Sequence, residues 1–237
     1  MDTSFDTNND FCLAKKEYIA KTFQTLFFQF LFTFGSVFLV AFNDTAHNFM
    51  LSNAEKMLVI GGLGGIITIL YISFSNPKVE LQLAVFTVFE TMVVCVGAVL
   101  YSWDVVMLAL LATFSISSFL GFYALSTKTD YTQFGNALFS ALMSLLMISL
   151  AGLFLGIEMI HTVSIYFGTL VFFGYIIYDV QHYFSNDAKL LNEHGIKQDL
   201  HIEAAINIYL DVINVFIRML EIIDRLKNKG ENKRNRR

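Results

Sequence analysis

Proline and cysteine are nearly absent: the 237 residues hold one proline, Pro77, and two cysteines. Cys12 stands near a polar N-terminus and Cys95 inside an apolar run, so the two do not meet, which excludes a disulfide framework and a thiolate metal site. Charge is sparse, at 15% of residues. No HExxH is present, and His161, His182, His194 and His201 lie at mismatched spacing in loops or at the ends of apolar runs. That argues against a metallohydrolase and for interfacial or solvated histidines. No break is long enough for an interdomain linker, and no internal repeat stands out. The first twenty residues carry Asp2, Asp6, Asp10, Lys15, Lys16 and Glu17 and lack the layout of a signal peptide. The first apolar run is therefore expected to act as an uncleaved anchor.

What the chain has in abundance is apolar side chain. At 55% hydrophobic residues and a mean hydropathy of +0.57, it exceeds what a soluble core can hide, which makes it an integral membrane protein. Runs long enough to cross hydrocarbon as helices cover 22–42, 57–74, 79–101, 105–125, 134–155 and 159–183, and a more polar seventh covers 202–223. The expected fold is all-α: a bundle of six transmembrane helices plus a seventh C-terminal hydrophobic helix, re-entrant or spanning. It divides into a cytosolic N-terminal segment (1–21), one helical transmembrane domain (22–224) and a basic cytosolic tail (225–237). Gly61 and Gly65 give the second run a small-xxx-small face for close helix packing, a better reading than a phosphate loop because they are embedded in apolar sequence. Pro77 sits in the break Ser75-Asn76-Pro77-Lys78, where it ends a helix without damaging one. Tyr101 and Trp103 fall at an expected membrane interface. Asn43-Asp44-Thr45 fits a glycosylation sequon, but at the membrane edge, where the modifying enzyme has poor access.

Charge placement bears on topology. With the N-terminus in the cytosol, cytosolic segments hold Lys15, Lys16, Lys21, Lys78, Lys128, Lys189 and Lys197, and the opposite loops hold only Lys56. Seven further basic residues follow Asp224, so a fully crossing seventh run places them on the wrong side. A seventh segment that enters and returns satisfies every loop, and a re-entrant hairpin with both termini cytosolic is the expectation. The tail reads as a cytosolic marker or a contact with anionic lipid, not as a nucleic-acid site.

Three carboxylates lie well inside apolar runs: Glu90, Asp179 and Asp211. Each costs about 2.5 to 3.5 kcal/mol at a lipid-exposed helix centre, so each is expected to face protein or water. In the last run Glu203, Asn207, Asp211, Asn214, Arg218, Glu221 and Arg225 recur at helical spacing. At about 100° per residue they fall within an arc of roughly 80°, a single polar stripe. Asp179 and Asp211 occupy the patterned contexts GYIIYDVQ and IYLDVINVFIRML on the last two segments. Two carboxylates brought together in a dry site share a proton and titrate as a pair, which makes them a proton-sensitive latch. A hydrated opening flanked by Asp211, Glu203 and Asp199 attracts cations, and hard oxygen ligands suit divalent ones. Asn207, Asn214 and Glu90 are the other residues of the expected cation path, although Glu90 reads equally well as a hydrogen-bonded helix contact. Arg218, two turns past Asp211, either neutralises one carboxylate or snorkels to the interface with Arg225.

The Tyr-Asp pair in the penultimate segment followed by IYLDVINVFIRMLEII resembles the transmembrane Bax inhibitor motif family, and FETMVVCVGAVLY around Glu90 resembles its Golgi anti-apoptotic branch, which includes virally carried members. The resemblance is specific at the C-terminus and otherwise rests on hydropathy. It implies a calcium-leak or cation-conducting protein of Golgi and endoplasmic reticulum membranes that lowers releasable calcium and blunts apoptotic signalling, with Asp179 and Asp211 as the pH latch. It loosely matches Asp199 or Glu203 to a pore acid. Some bacterial relatives carry an arginine on the second span that 57–74 lacks, and they look seven-spanning. No resident cofactor or metal is expected; calcium is the permeating ion. Expected partners are calcium and other cations, the bilayer, further copies of the chain and other endomembrane channels, with no nucleic acid. Two other classes compete. An intramembrane aspartyl protease would use the same pair as a shared-proton dyad, but Ile208-Tyr209-Leu210 before Asp211 leaves no glycine-rich approach for a substrate strand. A non-conducting adaptor explains the basic tail and leaves the stripe without a purpose.

Overall fold

A computed structural model describes residues 6–74, 79–185, 191–192, 195–196 and 200–234. Eight α-helices account for nearly all of them: α1 (Asp6–Phe42), α2 (Asp44–Ser52), α3 (Ala54–Phe74), α4 (Val79–Val99), α5 (Trp103–Ser126), α6 (Gly135–Leu155), α7 (Glu158–Phe184) and α8 (Leu200–Arg234). A 3-10 turn, Thr132–Phe134, leads into α6. Leu191–Asn192 and Gly195–Ile196 form a two-residue antiparallel ladder before α8. The fold is all-α, as the periodicity predicts.

Helix ends follow local chemistry. Asn43 breaks α1 from α2 with an extended backbone, and its Oδ1 accepts the Ala46 N–H at 3.0 Å. That side chain, half of the sequon, therefore serves as a helix cap. Gly156 ends α6 at φ +63°, a conformation open to glycine without a Cβ penalty. Helix α1 starts at Asp6, within the N-terminal segment 1–21, and continues without interruption into the first span. Glu17 and Lys21, paired at 2.8 Å one turn apart, lie on this extension.

Among the described residues, five helical stretches are long and apolar enough to cross a membrane: Cys12–Phe42, Glu80–Val99, Trp103–Ser126, Thr132–Gly152 and Glu158–Phe184. The remaining expected span, 57–74, is helical within the 21-residue α3.

The expected re-entrant hairpin is not formed. Helix α8 is continuous over 35 residues, about 52 Å at about 1.5 Å per residue. It contains no proline, and its one glycine, Gly230, comes near its end. A turn at mid-depth would also strip backbone groups of partners where no water can replace them.

The chain divides into two compact units, and α7 and α8 contribute to both. The first comprises Met1–Val96 and His182–Tyr209. In it, Tyr209 is fully buried, with its ring edge-on to Phe86 at 6.2 Å and tilted against Phe30 at 5.4 Å. Its hydroxyl meets Thr33 Oγ1 at 2.8 Å, and Thr33 meets Thr91 at 2.9 Å. One turn earlier Gln29 Nε2 donates to Thr87 Oγ1 at 3.2 Å. The equal advance along both helices shows that α1 and α4 run parallel, joined by a polar seam that lipid cannot replace. Helix α3 lies tightly against α4: a Cβ on Gly61 would come within 2.9 Å of the Phe89 carbonyl, and one on Gly64 would run into the Phe89 ring. These glycines pack helices.

The second unit comprises Gly97–Gln181 and Leu210–Arg237. Its core includes Val105, Ala109, Leu145, Ile165, Ile176, Val215, Phe216 and Leu220.

Candidate functional site

Helix α7 supplies Asp179 and α8 supplies Asp211, both within the second unit. Both are buried, at 8% and 5% exposure, and their carboxyl groups are hydrogen-bonded to each other. Two carboxylates both lacking a proton offer four acceptor oxygens and no donor, so this contact requires one shared proton. The other Asp211 oxygen, Oδ2, is buried without a partner. Tyr175, one turn before Asp179 on α7, stands within electrostatic reach of both aspartates.

Helix α7 is held in place on either side of Asp179. Tyr178 packs on Gly135 of α6, where a Cβ would fall 2.8 Å from its hydroxyl. Gln181, 4% exposed, accepts the Tyr131 N–H at 2.7 Å and donates to the carbonyls of Ala124 at 3.0 Å and Thr129 at 2.9 Å. One side chain thus fastens the α5–α6 connection to α7 two residues past Asp179. In that connection Asp130 accepts the Thr132 hydroxyl at 2.7 Å and its N–H at 2.9 Å, which holds its carboxyl below the usual range.

The rest of the stripe follows α8 through both units. Asn214, half-buried, donates to the Leu210 carbonyl at 2.9 Å. The Arg218 guanidinium packs on Gly168, at 3.1 Å from a Cβ placed there, and Glu221 is a charged neighbour. The charged neighbour acting on Asp211 is Asp179. Seven residues along a helix is about 10 Å, beyond an easy reach for Arg218, whereas Glu221 stands three residues away on the same face. Arg225 donates to Thr162 Oγ1 at 2.7 Å and meets His161 Nδ1 at 2.8 Å, and Lys227 pairs with Asp104 at 2.7 Å.

In the first unit Glu203 is exposed and accepts a hydrogen bond from Tyr183 Oη at 3.0 Å. Asn207 donates to that hydroxyl at 2.8 Å and to the Glu203 carbonyl at 3.0 Å. Glu90 is half-buried, with Oε1 only 2.7 Å from where a Gly65 Cβ would stand. Asp199 lies outside the described residues. The structure therefore brings together Asp179 with Asp211, and Glu203 with Asn207. Sequence reasoning missed Gln181 and Tyr183. The only available signal for Gln181 was its place two residues after Asp179; nothing in the sequence names the backbone groups that it binds.

The profile of the family described as "Inhibitor of apoptosis-promoting Bax1" matches residues 15–229. The chain is 29% identical to the Golgi anti-apoptotic protein of vaccinia virus (strain Lister) over 209 residues, covering 87% of this chain and 84% of that protein. It is 26% identical to mouse protein lifeguard 4 over 232 residues, covering 94% of each. Over 160 residues it is 28% identical to Bax inhibitor 1 of Schizosaccharomyces pombe, covering 67% of this chain and 57% of the yeast protein. The match to the profile takes in both aspartates, and the chain belongs to the Bax inhibitor motif family of integral membrane proteins.

Proposed function

We propose that this chain is an anti-apoptotic multi-pass protein of Golgi and endoplasmic reticulum membranes that works as a cation leak, calcium included, closed by the proton shared between Asp179 and Asp211. The names of its relatives support the cellular role. The observation that carries the mechanism is the buried carboxyl–carboxyl contact between α7 and α8. While the proton is present the contact is attractive. Once it leaves, two like charges about 4 Å apart repel by about 4 kcal/mol at an effective dielectric constant of about 20. That is enough to shift a two-state equilibrium by about a thousandfold and to separate the helices. Glu203 and Asn207, joined through Tyr183, supply oxygen atoms suited to partly dehydrated cations on the same polar stripe.

Because α8 is unbroken, the reading also revises topology. A crossing α8 after six spans puts the tail on the face opposite the N-terminus. Charge then no longer decides orientation, since the tail and Lys56 stand on one face against Lys15, Lys16, Lys21, Lys78, Lys128, Lys189 and Lys197 on the other.

The test is calcium entry into dye-loaded liposomes reconstituted with the purified protein. The leak rises with pH in the wild type, and Asp211→Asn, whose amide bonds to Asp179 without a titratable proton, lowers it and flattens its pH dependence. Absence of flux at every pH overturns the channel and leaves an adaptor. Cleavage of a helical substrate that Asp179→Asn abolishes transfers the pair to a protease.

A further inference from the structure

Helices α7 and α8 meet a second time within the second unit, about 21 Å along α8 from Asp211, through a contact that also depends on a proton. Arg225 of α8 donates from Nη1 to Thr162 Oγ1 at 2.7 Å, and its Nη2 meets His161 Nδ1 at 2.8 Å. A guanidinium has five donors and no acceptor, so Nδ1 must be the acceptor. That requires a neutral imidazole with its proton on Nε2. The Thr162 hydroxyl proton goes to the Glu158 carbonyl at 3.0 Å, so Thr162 also meets Arg225 as an acceptor. One arginine thus grips two adjacent residues of α7.

A proton on His161 reverses this contact: Nδ1 turns from acceptor to donor, and a cation then faces a cation. Imidazole changes charge between pH 5 and 8, and His161 is exposed, so water delivers the proton. The charges around it are arranged as follows. On α8, Glu221 and Asp224 stand with Arg225 within electrostatic reach of Tyr101, Asp224 accepts from Asn228 at 3.0 Å, and Lys229 adds a further cation one turn past Arg225. On α5, Asp104 is taken by Lys227 at 2.7 Å. Helix α6 has no titratable side chain; its Gly152 packs here, a Cβ on it falling 3.7 Å from the His161 nitrogen. On α7 itself Glu158 is exposed, one turn before His161. The carboxylate placed to take Arg225 once α7 lets go is therefore Glu221, four residues earlier on its own helix and in the favoured order for such a pair.

We propose that His161 and Arg225 form an acid-released clasp between α7 and α8, joined while His161 is neutral and opened when it takes a proton, with Arg225 turning back to Glu221. The clasp and the aspartate pair answer to protons in opposite senses, because the pair needs a proton to hold and the clasp needs its absence. The two helices are then fastened at the aspartates in acid and at Arg225 in alkali. The clasp stands on its own contacts; only its effect on the leak rests on the proposed latch.

Electron spin resonance on the full chain in nanodiscs tests this, with nitroxides attached at Met159→Cys, where the native side chain is 76% exposed, and at Gly230→Cys, where a Cβ meets nothing within 4 Å. Cys12→Ser removes the exposed native cysteine, and the buried Cys95 stays unlabelled. The distance between the labels is expected to be single and narrow at pH 8 and longer and broader at pH 5, changing within the interval over which imidazole titrates. His161→Gln, which offers an oxygen acceptor and no titrating proton, keeps the narrow distance at both pH values, and His161→Leu gives the broad one at both. The change is expected to survive Asp179→Asn with Asp211→Asn. A wild-type distance that ignores pH, or the same pH response in His161→Gln, overturns the clasp; a response that disappears with the two aspartates assigns the movement to them and overturns it too. A failed leak assay leaves this measurement intact, because it reads helix spacing and not flux.

Discussion

Replacing Gln181 with leucine removes three hydrogen bonds with little change in volume, and the structure indicates what each loss costs. The Ala124 carbonyl belongs to a buried residue whose helix ends at Ser126, leaving it no intrahelical partner. The Tyr131 N–H is half-buried, and Thr129 is exposed enough for water to take over its carbonyl. With about 1 kcal/mol net for each bond and a larger penalty for a buried orphan, Gln181→Leu weakens the attachment of the α5–α6 connection by about 2 to 4 kcal/mol. Amide hydrogen exchange in nanodiscs reads this directly. Protection of the Tyr131 N–H is expected to fall by about thirtyfold or more. Gln181→Glu keeps the acceptor and loses both donors, so it preserves the Tyr131 amide and releases the two carbonyls. Unchanged exchange at Tyr131 in the leucine variant refutes the clamp. Since Gln181 follows Asp179 by two residues, the same variant is expected to broaden the pH profile of the leak by loosening the end of α7 that presents the aspartate.

Two further outcomes follow from the helices. Gly61→Leu drives a side chain into the Phe89 carbonyl and Val93, and thermal unfolding in detergent is expected to show a loss of about 1 to 3 kcal/mol or more, whereas Gly62→Leu, where a Cβ meets nothing within 4 Å, is tolerated. Protease protection of tags at the two ends is expected to find them on opposite faces of sealed vesicles; a single accessible face for both restores an α8 that does not cross.

The helical class, the approximate spans and the polar stripe were legible in the sequence because they rest on local periodicity and on the price of polar atoms in lipid. The aspartate pair was legible for a related reason: Asp179 and Asp211 stand in apolar segments where each needs a partner. The hairpin failed as an expectation because charge counting weighs loops and ignores the backbone, and the 35 residues of α8 contain nothing that stops a helix. For Arg218 the sequence left two roles open, and an axial separation of two turns from Asp211 makes Glu221 the nearer partner along the helix. Gln181 and Tyr183 were invisible because their partners are fifty-odd and twenty-odd residues away in sequence, and no spacing rule reaches across a tertiary contact.

The most direct measurement is infrared difference spectroscopy of the reconstituted protein across pH, with the Asp179→Asn, Asp211→Asn double variant as reference. The shared proton predicts one protonated-carboxyl band that vanishes as pH rises and is missing from each single asparagine variant, because an amide satisfies the remaining carboxylate without it. A band that persists unchanged in either single variant, or a wild type that shows none on the acid side, contradicts a common proton and with it the gate.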